Sequence, residues 1–208
     1  MPLFFKRLAL LTSIAMVLAP NKAPAGGKKD EAKFTPGAAA SYAAHQTNER
    51  VTIGVKAYFD DEDTRPIFGK HNPYNYGVLP ILVVIQNDSS KTIRVAPLRA
   101  VWVAPDGDRI DATPAKDVRY LNGPRRPNVI NGPVPTSPKI VGHKNPLDNW
   151  AIEGRAFAAE MLPPGQSASG FFYFQTGYQR NASLYLGGFR EADSGRELLY
   201  FEIPVTEK

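Results

Sequence analysis

The chain has 208 residues, none of which is cysteine, and its formal net charge is +5. The missing cysteines exclude disulfides, thiolate catalysis and cysteine-based zinc sites. Its 17 glycines and 19 prolines, among many aromatic residues, are typical of short strands joined by turns, as in a β-sandwich or barrel. No phosphate-binding glycine loop is present, and we expect no cofactor.

Residues 1–25 have the order of an export signal. Lys6 and Arg7 precede an apolar run over residues 8–18, and Ala23 and Ala25 are the small residues of a cleavage site. The run is too short for a bilayer, which needs about 20 apolar residues. We predict cleavage after Ala25 and a periplasmic or secreted chain without a transmembrane segment. The alternative, an uncleaved anchor or a buried first helix, fits this pattern less well.

Cleavage changes both the charge and the expected anchoring. The segment contains Lys6, Arg7 and Lys22 but no acid, so the net charge falls from +5 to +2. This near-neutral balance argues against a nucleic-acid partner. Without a cysteine to carry lipid, release is expected rather than tethering, and an exported chain without disulfides favours a bacterial envelope.

The rest of the chain reads as one domain behind a short leader. Residues 26–47 are small and polar, which predicts a flexible lead-in, and residues 48–208 suit a single domain. Residues 51–59 alternate between apolar and polar, which predicts a strand with one buried face. Residues 78–86 are apolar on both parities, which predicts a central strand buried on both faces.

Proline and glycine divide the following segments. Pro97 separates two short strands and predicts a bulge or a change of sheet. Pro105-Asp106-Gly107-Asp108 predicts a hairpin. Six prolines in residues 122–149 predict a long irregular loop, and residues 148–162 predict a helix that ends at Pro163. Strands over residues 170–175, 183–186 and 197–205 complete an all-β, immunoglobulin-like two-sheet antiparallel β-sandwich with one inserted helix.

Three short sequence segments each combine an apolar strand with a particular turn. Residues 82–89 end in Asn-Asp-Ser, residues 101–107 end in Pro-Asp-Gly, and Leu162-Pro163-Pro164-Gly165 precedes an apolar strand that begins at Gly170. Over about residues 78–205 they resemble telokin-like, immunoglobulin-like domains of bacterial exported proteins. The resemblance implies an extracytoplasmic location and a binding or assembly role, and it brings no catalytic residues with it.

Two proline-containing segments are candidate binding surfaces. Residues 64–76 combine tyrosine with arginine, a composition typical of binding hot spots, and residues 122–149 carry several cations. The candidate binding residues are Arg65, Phe68, His71, Tyr74, Tyr76, Arg125 and Arg126. The alternative for the first segment is that Phe68 and Tyr76 close one end of the sandwich.

An acidic run supplies the candidates for a metal site. Carboxylates in one loop could bind a hard cation, and a nearby histidine could join them. The residues concerned are Asp60, Asp61, Asp63 and His71. Because the spacing lacks the alternating acids and the glycine of a calcium loop, we favour a solvated turn and expect no metal.

Three functional hypotheses remain open. The leading one is a non-catalytic binding or assembly module whose partner is another envelope protein or polymer. The second is an extracytoplasmic hydrolase acting on envelope polymers with carboxylates 60–63 and His71. The third is a structural envelope protein that forms homo-oligomers through sheet edges. A serine hydrolase is disfavoured, because Gly165-Gln166-Ser167-Ala168-Ser169 lacks the second glycine of the nucleophile elbow and precedes a strand.

Overall fold

The computed structural model describes residues 34–121 and 145–205, which belong to the compact unit that begins at Phe34. The predicted signal, residues 122–144 and the candidates Arg125 and Arg126 lie outside the described residues. Within them the strands are β1 (Ala44–Asn48), β2 (Val51–Ala57), β3 (Leu79–Asn87), β4 (Ile93–Arg94), β5 (Arg99–Val103), β6 (Arg109–Asp111), β7 (Met161–Leu162), β8 (Ser167–Phe174), β9 (Ser183–Gly187), β10 (Arg190–Glu191) and β11 (Phe201–Pro204). The helices are α1 (Asp61–Phe68), α2 (Ala115–Val118) and α3 (Trp150–Gly154). None of these helices is long and apolar enough to span a membrane.

The strands form three antiparallel sheets in an all-β, sandwich-like architecture, as the composition predicts. The first sheet has the order β1-β2-β3-β8, the second β11-β9-β5-β6, and a small third sheet β10-β4-β7. Alternate residues of β2 and β3 pack with apolar residues of β5, β9 and β11 in one core, in which Trp102 is fully buried. This central core joins the first sheet to the second.

The opposite face of the first sheet is covered by helices. Leu82 of β3 and Phe171 of β8 pack there against Ile67 and Phe68 of α1 and Ile152 of α3. This second core explains why β3 is apolar on both parities. The predicted central, doubly buried strand is therefore confirmed, with β3 lying between β2 and β8.

Both turn predictions in the middle of the chain are confirmed. β4 pairs in the third sheet whereas β5 pairs in the second, so the chain changes sheet at Pro97. β5 and β6 form an antiparallel hairpin with Val103 opposite Arg109. Gly107 lies in its turn at φ +93°, in the left-handed region that favours glycine.

The helix predicted over residues 148–162 is mostly wrong. Only Trp150–Gly154 is helical, and Met161–Leu162 is a strand. The intervening chain pairs with β8, since Phe171 N donates to Arg155 O (2.9 Å) and Phe157 N donates to Phe171 O (3.1 Å). Gly170 permits this approach, because a Cβ there would lie 2.4 Å from Phe157 Cα.

The segment predicted as a flexible lead-in also contains regular structure. Residues 44–48 form β1, which pairs with β2 in the register Ala44↔Val55. A 3-10 turn at Ala39–Ser41 packs on Gly54, where a Cβ would lie 2.2 Å from Ala39 O. Strand β1 needs few apolar residues, because its backbone hydrogen bonds to β2 hold it at the edge of the sheet.

Side-chain hydrogen bonds link the edge of β1 to the segment of the same polypeptide that contains β11. Asn48 Nδ2 donates to Tyr200 O (3.0 Å), and Glu202 N donates to Gln46 Oε1 (3.1 Å). These bonds use polar groups of both segments that would otherwise face solvent at a sheet edge.

Candidate ligand site

The predicted binding segment is an ordered part of the fold. Residues 61–68 are helical rather than loop, and Asp61, Glu62 and Asp63 occupy the first turn of α1, where the helix dipole favours acids. Phe68 is only 1% exposed and belongs to the core beneath the helices. Its prediction as a surface binding residue is therefore wrong, because α1 turns this ring toward the first sheet. Arg65 is exposed on the same helix.

The two predicted tyrosines have structural contacts. Tyr74 Oη accepts a hydrogen bond from Tyr178 N (3.1 Å), and the Tyr74 ring lies 6.0 Å from that of Phe59. Tyr76 is half-buried, and its hydroxyl lies 3.4 Å from His71 Nδ1. Tyr74 thus anchors a neighbouring loop, and replacing it would disturb packing as well as any recognition.

The acidic residues are engaged separately. Asp61 Oδ1 accepts from Asn72 Nδ2 (2.9 Å) and from Asn75 Nδ2 (3.2 Å), while Asp63 pairs with Lys56 at 2.8 Å. Across the described residues, no three His, Asp or Glu side chains lie together as a metal-binding group. The geometry therefore does not bring Asp60, Asp61, Asp63 and His71 into one site.

A different feature lies where α3 ends beside the first sheet. A cavity of about 180 Å³ opens there. Its exposed wall is more polar than apolar, because backbone groups, one hydroxyl and one guanidinium line it together with apolar side chains. Its lining consists of Phe34, Pro36, Leu82, Gly154, Arg155, Ala156, Ser169, Gly170 and Phe171.

The Arg155 side chain is the unusual member of this lining. Its Nε is buried without a hydrogen-bond partner, and its guanidinium forms no ion pair within residues 34–121 and 145–205. The guanidinium carbon lies 5.7 Å from the ring centre of Phe34 and 5.8 Å from that of Trp150. These distances suit cation–π attraction, which leaves the charge of the arginine unneutralised.

The neighbouring groups that could neutralise Arg155 form contacts with other residues. Glu153, two residues earlier, lies 3.9 Å from Arg119 instead. Tyr173 donates its hydroxyl proton to Ile152 O at 2.7 Å. Burial raises the pKa of Tyr173 well above its usual value, so its phenol stays neutral. The protein thus presents an arginine whose charge its described fold does not use.

Trp150 extends the site to the molecular surface. Although it begins α3, its side chain is 60% exposed. Asn149 caps this helix by accepting from Ala151 N (3.0 Å) and also donates to Phe68 O (3.0 Å), which fixes α3 against α1. A large exposed aromatic ring on a fixed helix, beside an arginine, has the composition of a binding hot spot.

Sequence reasoning missed both residues. Trp150 was predicted only as part of the longer helix over residues 148–162, and Arg155 stood out in no motif. The signal that could have revealed them is Gly154, the last residue of α3, after which Arg155 caps the helix. Neither a model of a known protein family nor a curated protein matches this sequence.

Proposed function

We propose that the chain is an exported, non-catalytic binding module of a bacterial cell envelope. In this proposal the strands form an immunoglobulin-like two-sheet sandwich, and binding takes place on the helical face of the first sheet. The observation that carries the proposal is the pair formed by Trp150, 60% exposed, and Arg155, whose side chain has no hydrogen-bonding or ionic partner in the described fold. Tryptophan and arginine are the residues most enriched where binding energy concentrates.

The composition of the cavity supports binding over hydrolysis. Ser169 is its only hydroxyl, and no carboxylate or imidazole is among the residues that line it. A serine nucleophile needs an adjacent base. His71 lies beside Tyr76 instead. The lining residues can therefore hold a ligand but have no evident means to activate Ser169.

The location and the partner rest on the amino-terminal sequence. A cationic start, a short apolar run and small residues before position 26 are the features that secretion systems cleave. The partner we propose is another envelope protein or polymer. Mass spectrometry of the chain from a cell-envelope fraction should find a mature amino terminus at Gly26, and retention of residues 1–25 would contradict export with cleavage.

In-cell photo-crosslinking tests the binding role directly. The crosslinking residue p-benzoylphenylalanine replaces Trp150, and in a matched control it replaces Asp106, which is exposed in the β5–β6 turn. We expect a discrete heteromeric adduct from position 150 that position 106 does not give. Adducts that are equal at both positions, or monomer alone at both, would argue against a partner surface on the helical face.

A further inference from the structure

We infer that the Arg155 cavity is a binding site for the carboxylate of a small ligand with an apolar, ring-sized body. This inference rests on the proposed binding function and names its ligand class. The charge of Arg155, the three apolar side chains in the lining and the cavity volume are separate features that point to this class.

The unpaired charge of Arg155 can attract an anion. Within the described residues, the Arg155 guanidinium has no acid or carbonyl partner, and the nearest acid on α3, Glu153, lies beside Arg119. A partly buried cation without a counterion is unfavourable, because it loses hydration without gaining an ion pair. A bound anion would restore that balance, and guanidinium nitrogens bind carboxylates through paired hydrogen bonds.

Three apolar side chains of the lining can pack against a ligand next to that anion. Phe34, Leu82 and Phe171 present hydrocarbon surface to the cavity, and Ser169 supplies one hydroxyl. Their rings and aliphatic groups would remove part of a ligand's apolar surface from water, while the hydroxyl can donate to the second carboxylate oxygen. A few apolar side chains beside convergent polar groups suit a small ligand that has both parts.

The volume limits the size of the ligand. A cavity of about 180 Å³ equals the volume of about six water molecules in the liquid. That space accommodates one ring or a short branched chain. An isolated acid of this size and the acidic end of a longer molecule are both compatible with this chemistry.

A single positive charge favours carboxylate over phosphate. Arg155 is the only cationic residue that lines the cavity among the described residues. A carboxylate carries one negative charge and is neutralised by one guanidinium, whereas a phosphate monoester carries close to two at neutral pH. The second phosphate charge would enter the cavity without a cationic partner, which is unfavourable.

The test compares three probes that share a ring and differ in their polar group: 3-phenylpropionate, 3-phenylpropanamide and phenyl phosphate. Isothermal titration calorimetry against the purified chain measures each affinity. We expect the acid to bind at least about 10-fold more tightly than the amide, since one charge-assisted hydrogen-bonded pair accounts for about 10- to 100-fold. We also expect phenyl phosphate to bind more weakly than the acid.

Variants assign this selectivity to Arg155. Arg155→Met should weaken binding of the acid by about 10- to 100-fold and leave the amide within about twofold, while Ser169→Ala should have a smaller effect. Arg94→Met, at an exposed arginine on β4, is the matched control and should leave both affinities unchanged. Thermal unfolding within about 3 °C of the wild type shows that a variant is folded.

The outcomes separate this inference from the proposed function. Equal affinities for acid and amide, tighter binding of phenyl phosphate, no binding of the acid, or an unchanged affinity in Arg155→Met would each overturn the carboxylate site. If crosslinking from position 150 persists in that case, the binding function stands without this ligand class. If acid binding holds but no partner is crosslinked, the cavity binds a small acid and the macromolecular partner is wrong.

Discussion

Two arginines in this protein stand in opposite situations. Arg196 lies between two glutamates, 2.7 Å from Glu49 and 2.9 Å from Glu191, on the side where β1 meets the chain before β11. Arg155 lies at the cavity without any such partner in the described structure. Arg196 is exposed and Arg155 is half-buried, so it is the more exposed arginine that has the ionic partners. An arginine that organises the fold has its acids within reach, whereas one that the fold leaves unpaired is suited to a ligand.

The same contrast appears in the surroundings of each arginine. Glu49 also accepts from Leu199 N (3.1 Å), and Glu191 accepts from Ser194 Oγ (2.6 Å), so the Arg196 network ties three segments together. Around Arg155 the hydrogen bonds belong to the backbone, which builds a wall of the cavity and leaves the guanidinium free of it. The Arg196 network therefore stabilises the fold, whereas the region around Arg155 forms the wall of a cavity.

The largest expected effect concerns the wall of the cavity. Gly170→Ala places a Cβ 2.4 Å from Phe157 Cα, so the segment of residues 155–157 must move away from β8. We expect a loss of about 2–3 kcal/mol in the free energy of unfolding, together with loss of probe binding. Chemical denaturation measures the first effect. Ser167→Ala, at an exposed position of the same strand, is the control, and equal stability of the two variants would contradict this account of the cavity wall.

A smaller effect is expected from the hydrogen bond beneath the cavity. Tyr173→Phe removes the donor to Ile152 O (2.7 Å) and leaves that carbonyl buried. We expect a loss of about 1–2 kcal/mol, measured from the denaturant midpoint at unchanged slope. Tyr185→Phe, on the second sheet, is a matched substitution at a half-buried tyrosine and should have little effect. If Tyr173→Phe also lowered acid binding by 10-fold, Tyr173 would belong to the ligand site.

The two arginines themselves provide the central test. Arg196→Met removes the bridge between Glu49 and Glu191 and should lower the free energy of unfolding. Arg155→Met removes a buried unpaired Nε and two cation–π contacts, terms of opposite sign, so stability should change by less than about 1 kcal/mol. Denaturation of both variants side by side measures the difference. A larger loss for Arg155→Met than for Arg196→Met would show that Arg155 is structural.

The smallest expected effect is a dependence of the free energy of unfolding on pH, which only the Arg196 network should show. The hydrogen bond from Arg196 lowers the pKa of Glu49 most, and the hydrogen bond from Leu199 N lowers it further. For Glu191, the hydrogen bond from Arg196 is again the largest cause of a lowered pKa, and that from Ser194 is the second. A carboxyl group whose pKa is lower in the folded state stabilises the fold at pH values above its unfolded-state pKa of about 4.3. This stabilising contribution is lost as the pH falls through the folded-state pKa.

Unfolding at a series of pH values between 7 and about 3 checks this expectation. Arg196→Met should reduce the difference in stability between neutral and acidic pH. Arg155→Met should run parallel to the wild type, because no carboxylate is paired with that residue in the described fold. Parallel curves for all three proteins would contradict the network at Arg196.

The strands were predictable to the extent that their pattern is local. The strand at β2, the apolar run of β3, and the proline and glycine at the following turns each arise from neighbouring residues. The single buried face predicted for β2 from its alternation was wrong, because polar Thr52 on its other face is buried as well. The helix over residues 148–162 was predicted wrongly because its apolar spacing also suits an extended segment beside β8. Gly170 allows that alternative, and it lies eight residues beyond the end of the predicted helix. Residues 64–76 were predicted as a binding segment from composition, which does not show that α1 buries Phe68.

The sequence by itself determined the all-β class, the doubly buried β3, the change of sheet at Pro97 and the β5–β6 hairpin. These features follow from periodicity and from backbone restrictions that act over a few residues. The tertiary structure alone decided which arginine is paired and which is not. Glu153 lies two residues from Arg155, yet the packing of α2 against α3 puts it beside Arg119, because charge pairing depends on distance in space rather than along the chain.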